Sequence, residues 1–134
     1  MNYSNISYKS DCRYFAGTVP CKPHKKYGYH CNDCSEYMQT DGIILIIKLG
    51  AIGDVIRTTP LVHKIRKEYP TKKIWWLTYS PEVVPSIVDR VFPYDTESIE
   101  IIKSTEYDIV INLDKDLQAG SIMKSVISDT MYGF

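Results

Sequence analysis

Residues 43–55 read Ile43-Ile44-Leu45-Ile46-Ile47-Lys48-Leu49-Gly50-Ala51-Ile52-Gly53-Asp54-Val55, and this stretch decides the fold. Five consecutive aliphatic residues have no polar face, which reads as a strand buried on both sides. Gly42 opens the run and Lys48 stops it. Leu49 to Asp54 follows as a tight, glycine-bearing loop. From Val55 onward Thr59, Val62, Ile65 or Arg66, and Tyr69 recur at helical spacing, while Lys64, Arg66, Lys67 and Glu68 fall mostly on the other side. Asp54 stands where an N-cap belongs, Pro60 is expected to kink the helix, and Pro70 to end it.

The same alternation continues downstream. Ile74-Trp75-Trp76-Leu77-Thr78 predicts a second strand, in which the two tryptophans are core residues rather than membrane anchors. Ser80-Pro81-Glu82 predicts the start of a short helix reaching about Val88. Val91 to Tyr94 reads as a short strand, Glu97 to Lys103 as a helix or turn, and Ile109 to Leu113 as another buried strand. Asp116 to Ser128 predicts a helix, and Met131 to Phe134 the beginning of a further strand. Strands alternating with helices give an α/β fold, a Rossmann-like doubly wound parallel sheet. Ligands of such sheets sit beyond the carboxyl ends of the strands. Two loops fall there, Gly50 to Asp54 and Asn112 to Lys115.

The glycine loop is Gly-x-x-Gly-Asp rather than Gly-x-Gly-x-x-Gly. Gly50 and Gly53 permit close backbone approach, and a helix N-terminus favours negative charge. An acidic residue at that end suits contact with a hydroxyl better than with a phosphate; a plain helix cap is the competing role for Asp54. A dinucleotide-binding role is disfavoured, because Thr78, Tyr79 and Ser80 stand where an acidic residue should end the second strand.

The 134 residues divide at about residue 41. All four cysteines lie in the first part, at Cys12, Cys21, Cys31 and Cys34, with six of the eleven tyrosines and almost no aliphatic residues. Residues 1–41 therefore lack the apolar surface to order themselves and need a staple. A reducing setting argues against disulfides and for a structural zinc. Cys31-x-x-Cys34 is one ligand pair and Cys12 with Cys21 the other. His24 and His30 leave a Cys3His alternative open. An iron–sulfur cluster lacks its spacing, and a redox CxxC lacks its context.

The whole chain carries 16 basic and 16 acidic residues, which gives no support to a nucleic-acid partner. No apolar run approaches a membrane span, so membrane contact is expected to be peripheral at most. The polar N-terminus has no signal-peptide pattern, and a cytoplasmic location is expected.

The run Ile44 to Leu61, with its Gly53-Asp54 turn and Thr59-Pro60 step, resembles the opening of the heptosyltransferase-like glycosyltransferases, family 9. Tyr107-Asp108-Ile109-Val110-Ile111-Asn112-Leu113-Asp114 is similar to that family's fourth-strand motif, and Tyr132-Gly133-Phe134 to its next strand. The Cys-rich head resembles an extension in a subset of such proteins, with the four Cys as the constant feature. The resemblance covers residues 42–134 and implies the N-terminal half of a GT-B fold, with a small zinc-stapled segment before it. It further implies inverting transfer, without a catalytic metal, from a nucleotide-sugar co-substrate to a saccharide or glycolipid acceptor of lipopolysaccharide type. Asp54 takes the general-base role by that resemblance, and Gly50, Gly53, Thr58, Asn112, Asp114 and Lys115 the acceptor side. The chain departs from the family in ending where the first domain ends, so the donor-binding C-terminal domain is expected to be missing and the chain alone inactive. A stand-alone zinc-stabilised interaction module, or a nucleotide-binding one, is the alternative.

Overall fold

The computed structural model describes residues 11–15, 20–28, 30–31 and 34–133. It divides into two compact units, residues 1–41 and 42–134.

The second unit is a five-stranded sheet. Its strands are β1 (Ile43–Ile47), β2 (Lys73–Thr78), β3 (Arg90–Pro93), β4 (Glu106–Asn112) and β5 (Ile127–Gly133). Every neighbouring pair is parallel, in the order β3-β2-β1-β4-β5. This is the doubly wound order whose direction reverses beside the first strand. The β1 run is central because it can be buried on both faces: Ile44, Leu45, Ile46 and Ile47 are wholly inaccessible. Alternate residues feed two cores. Leu45 and Ile47 pack with Trp75, Leu77, Phe92, Tyr107 and Val110 under Ile102, Ala119 and Ile122. Ile44 and Ile46 pack with Ile74 and Trp76 under Val55, Val62, Ile65 and Val88. Trp75 and Trp76 are thus core residues, as their mid-strand position predicts.

Four helices cover the faces. Helix α2 (Ile52–Arg57) and helix α3 (Thr59–Glu68) replace the single kinked helix expected from Val55 onward. The break falls at Thr58, because Pro60 has no amide to extend a helix and is tolerated only in a first turn. Helix α4 (Thr96–Lys103) is capped by Asp95, whose carboxylate accepts from the Ser98 amide. Helix α5 (Leu117–Ser125) is shorter than the sequence suggests. Val126 turns inward after it, and β5 starts at Ile127, four residues before the expected strand. Ser80-Pro81-Glu82 opens only a 3-10 turn over Pro81–Val83, not a helix to Val88.

In the first unit, Cys12 and Gln39 form an antiparallel bridge. The Arg13 amide donates to the Met38 carbonyl at 2.7 Å and the Thr40 amide to the Asp11 carbonyl at 2.7 Å. A short helix, α1 (Lys22–Tyr27), starts after Cys21 and ends on Gly28 in the left-handed conformation. Among the described residues of this unit, Pro23 and Thr40 are the buried ones, and neither apolar core contains a residue before Ile43. Among the described residues of the chain, no helix is long and apolar enough to cross a membrane.

Candidate functional site

The carboxyl ends of β1 and β4 are adjacent, and the two loops singled out in the sequence meet there. Their meeting point is one carboxylate. Asp114 Oδ2 accepts from the Leu49 amide at 2.8 Å and from the Gly50 amide at 3.3 Å. The Lys48 ammonium lies 3.8 Å from the same oxygen and also donates to the Leu113 carbonyl at 3.4 Å. The Asp114 amide in turn donates to Asn112 Oδ1 at 2.9 Å. Asp114 and Asn112 are buried, so these contacts are shielded from water.

From the opposite side, β2 grips the same loop. The Leu49 carbonyl accepts from the Thr78 hydroxyl at 3.1 Å and from the Tyr79 amide at 2.9 Å, and the Lys48 carbonyl from the Trp76 indole at 3.1 Å. The backbone from Lys48 to Gly50 is thereby tied to both neighbours of β1, and α2 springs from it. A methyl group on Gly50 would meet the Tyr79 ring at 3.4 Å, an ordinary contact; at Gly53 nothing lies within 4 Å. Neither glycine is there to avoid a clash.

Asp54 occupies the first turn of α2. The N-cap is Ala51, not Asp54, and it supplies no capping side chain. The carboxylate of Asp54 is half exposed and lies 3.6 Å from the Arg57 guanidinium. Thr58 is turned inward, its hydroxyl donating to the Asp54 carbonyl at 2.9 Å. Lys115 and Asp116 are exposed at the entry to α5. Tyr79 borders the same end, edge-on to Tyr94 at 5.2 Å. Its phenol is pushed above the ordinary range, first by desolvation and then by Tyr94, Asp116 and Asp114 nearby. The rim is partly apolar, with Ile52, Ile56, Tyr79 and Leu117 exposed.

The structure thus brings Gly50, Asn112 and Asp114 together and sorts the expected site residues by what they can do. Asp54 and Lys115 present charge to solvent. Asp114 Oδ2 and the Thr58 hydroxyl are spent on backbone groups of the scaffold. Lys48 is a residue the sequence reading passes over. It ends a hydrophobic strand, and a cation at the carboxyl end of a central strand is the available signal.

The four thiols are free and partly buried. Cys12 and Cys34 each open a turn, their carbonyls accepting from the amides of Phe15 at 3.1 Å and Tyr37 at 3.5 Å, and Cys21 precedes α1. His24 and His30 lie edge-on, 5.3 Å between ring centroids. The donor chemistry suits zinc, but the expected constellation is not assembled. Among the described residues, no three His, Cys, Asp or Glu side chains are grouped to hold a metal ion.

No family model matches the chain, and no curated protein matches it. Solved structures do. The chain is similar to the glycosyl transferase family 9 protein from Veillonella parvula DSM 2008, at 18% identity over 71% of this chain and 36% of that one, with a TM-score of 0.57. It is similar to E. coli heptosyltransferase WaaC with ADP, at 20% identity over 67% of this chain and 34% of that one, TM-score 0.58. WaaC with ADP-2-deoxy-2-fluoro heptose aligns at 18% identity over 67% and 36%, TM-score 0.55. At such identities the likeness is one of fold. The chain spans about a third of the length of each of these proteins.

Proposed function

We propose that this chain is the acceptor-side part of a heptosyltransferase-like glycosyltransferase, with Asp54 as general base. The observation that carries the reading is the position of Asp54: an accessible carboxylate in the first turn after β1, beside the point where the strand order reverses. The likeness in fold to family 9 structures supports it. An acceptor hydroxyl is a poor nucleophile until its proton leaves, and a carboxylate at hydrogen-bond distance takes that proton as the glycosidic bond forms. The loop tied down by Asp114, Thr78 and Trp76 holds the start of α2 in place for that encounter. Lys115 and the Asn112 loop flank the acceptor. WaaC has been solved with ADP and with an ADP-sugar analogue; by analogy the donor here is a nucleotide-sugar held by a further domain. A lipopolysaccharide-type acceptor, inversion at the anomeric carbon, the absence of a catalytic metal and a cytoplasmic location belong to the same proposal.

The test uses the coding sequence beyond Phe134 together with Asp54→Asn. A downstream second α/β domain, and a two-domain product whose sugar transfer falls about 10²-fold or more in the Asn variant with acceptor binding kept, are the expected results. Near-normal turnover by Asp54→Asn reduces Asp54 to a first-turn residue of α2.

We further infer that residues 1–41 are held by one structural zinc on Cys12, Cys21, Cys31 and Cys34. Four free thiols in a unit whose described residues include almost no buried apolar side chain favour this.

A further inference from the structure

Helix α1 of the first unit carries its cations on one side. Lys22, Lys25 and Lys26 stand at positions i, i+3 and i+4, an arc of about 100° on the helix surface, and all three are exposed. Pro23 is the buried residue of the helix, and no acidic residue lies in it. Among the described residues none of the three lysines is joined to a carboxylate. The Lys26 ammonium instead lies over the Tyr27 ring, 5.1 Å from its centroid, and Tyr27 is itself half exposed. This arrangement costs stability. Like charges at i, i+3 and i, i+4 repel. Lys22 takes the first helical position, where the positive end of the helix opposes a cation. A six-residue helix has little stability of its own to set against both effects. Negative charge facing this side of the helix relieves them together.

We infer that this face of α1 docks on an anionic lipid bilayer, with the three ammonium groups against lipid phosphates and Tyr27 at headgroup level. The charge and the side-chain types both match. Each lysine near an anionic leaflet strengthens the contact about fivefold, and a tyrosine ring, apolar with a polar tip, suits the membrane–water interface. Long lysine stems let three charged heads reach one plane while the helix stays outside it. A flat surface also suits so short an element. Nucleic acid fits less well, because α1 is only about 9 Å long and three cations neutralise few phosphates. The 16 basic and 16 acidic residues of the chain give no broad field to draw in a polyanion. The contact is therefore local, weak and salt-sensitive. It uses no residue of the β1–β4 site and stands apart from the catalytic reading.

The test is co-sedimentation of the 134-residue chain, purified without chelator, with lipid vesicles. Vesicles of equal parts phosphatidylcholine and phosphatidylglycerol should bind it, and pure phosphatidylcholine vesicles on the order of 10²-fold more weakly. Raising sodium chloride from about 50 to about 300 mM should release the bound chain. Lys22→Gln, Lys25→Gln and Lys26→Gln should each weaken binding about fivefold, and the three together should abolish the preference for anionic vesicles. Four results overturn the inference: no preference for anionic vesicles, a triple variant that binds like the parent, binding that withstands the salt, or tighter binding to soluble polyphosphate than to the vesicles. If NMR shows that the triple variant has lost helix α1, acetylation of the unaltered chain decides. Slower acetylation of Lys22, Lys25 and Lys26 on anionic vesicles than in buffer supports the docking, and unchanged rates with the chain bound overturn it.

Discussion

Replacing Asp114 by Ala should cost about 3–4 kcal/mol. The carboxylate is buried and accepts from the Leu49 amide at 2.8 Å and the Gly50 amide at 3.3 Å, with Lys48 at 3.8 Å. Hydrogen bonds to a charged group contribute about 1.5–3 kcal/mol, and an orphaned buried donor costs about 1–3 kcal/mol. Leu49 is wholly buried, so its amide has no water to turn to; Gly50 is half-buried and loses less. Lys48 keeps the Leu113 carbonyl, which moderates the loss from the ion pair. Asp114→Asn is the informative partner. Both amides bind the same oxygen, so a carboxamide oxygen can keep both bonds while losing charge assistance and the ion pair, at about 1–2 kcal/mol. Urea unfolding followed by tryptophan emission is the assay, because Trp75 and Trp76 both sit in β2 and report on this unit alone. Asp114→Ala within about 1 kcal/mol of the parent, or Asp114→Asn as costly as Asp114→Ala, refutes the reasoning.

A methyl group at Gly42 would stand 1.8 Å from Asp108 Oδ2 and 2.6 Å from its Cγ, while that carboxylate is paired with Lys72. Gly42→Ala should therefore destabilise by about 1–3 kcal/mol, and thermal melts should show Asp108→Ser recovering most of the loss in the double variant. Burial pushes the Tyr107 phenol well above its ordinary range, and its hydroxyl donates to the Ile102 carbonyl at 2.7 Å. The folded state then keeps a proton that the unfolded chain releases above about pH 10, so stability present below that pH is lost as pH rises beyond it, at up to about 1.4 kcal/mol per unit; Tyr107→Phe should flatten that slope in denaturant midpoints. Protein purified without chelator should carry one equivalent of zinc and lose helix α1 signals when a chelator removes it. Zinc well below one equivalent, with all four thiols titratable in the folded state, contradicts the metal proposal.

The strand–turn–helix opening is readable because β1 is unambiguous: five aliphatic residues admit no polar face, and the structure buries four of them completely. Strand and helix types follow from similar runs. The differences share a cause, which is that local patterns run on past the point where tertiary contacts take over. Asp116 to Ser128 has helical periodicity throughout, yet Ile127 leaves the helix because β4 offers it a ladder partner in Glu106. Pro60 suggests a kink in one helix, whereas a proline so near Thr58 starts a new one. Asp54 and Asp114 show the limit for sites. Both are acidic residues after a strand, and spacing cannot tell an accessible carboxylate from one consumed by backbone amides. That difference depends on β4 lying beside β1, a pairing 65 residues apart in the chain between Leu49 and Asp114.

The charges of this unit fall into two groups by strand end. At the amino ends, Arg66 pairs with Asp89 at 2.5 Å, Asp89 also accepts from the Ile74 amide, and Lys72 pairs with Asp108. These contacts join the entries of β2, β3 and β4 and serve stability. At the carboxyl ends, Lys48 and Asp114 brace the β1 loop, while Asp54 stands half exposed with the solvent-exposed Arg57 guanidinium 3.6 Å away. A carboxylate kept accessible over a loop held by two neighbouring strands is the arrangement that proton transfer to a positioned base requires, since the base must be reachable and its backbone must not yield. The Asp54 proposal therefore rests on that contrast between a braced loop and an accessible carboxylate, and Asp114→Ala should loosen the loop without touching the carboxylate itself.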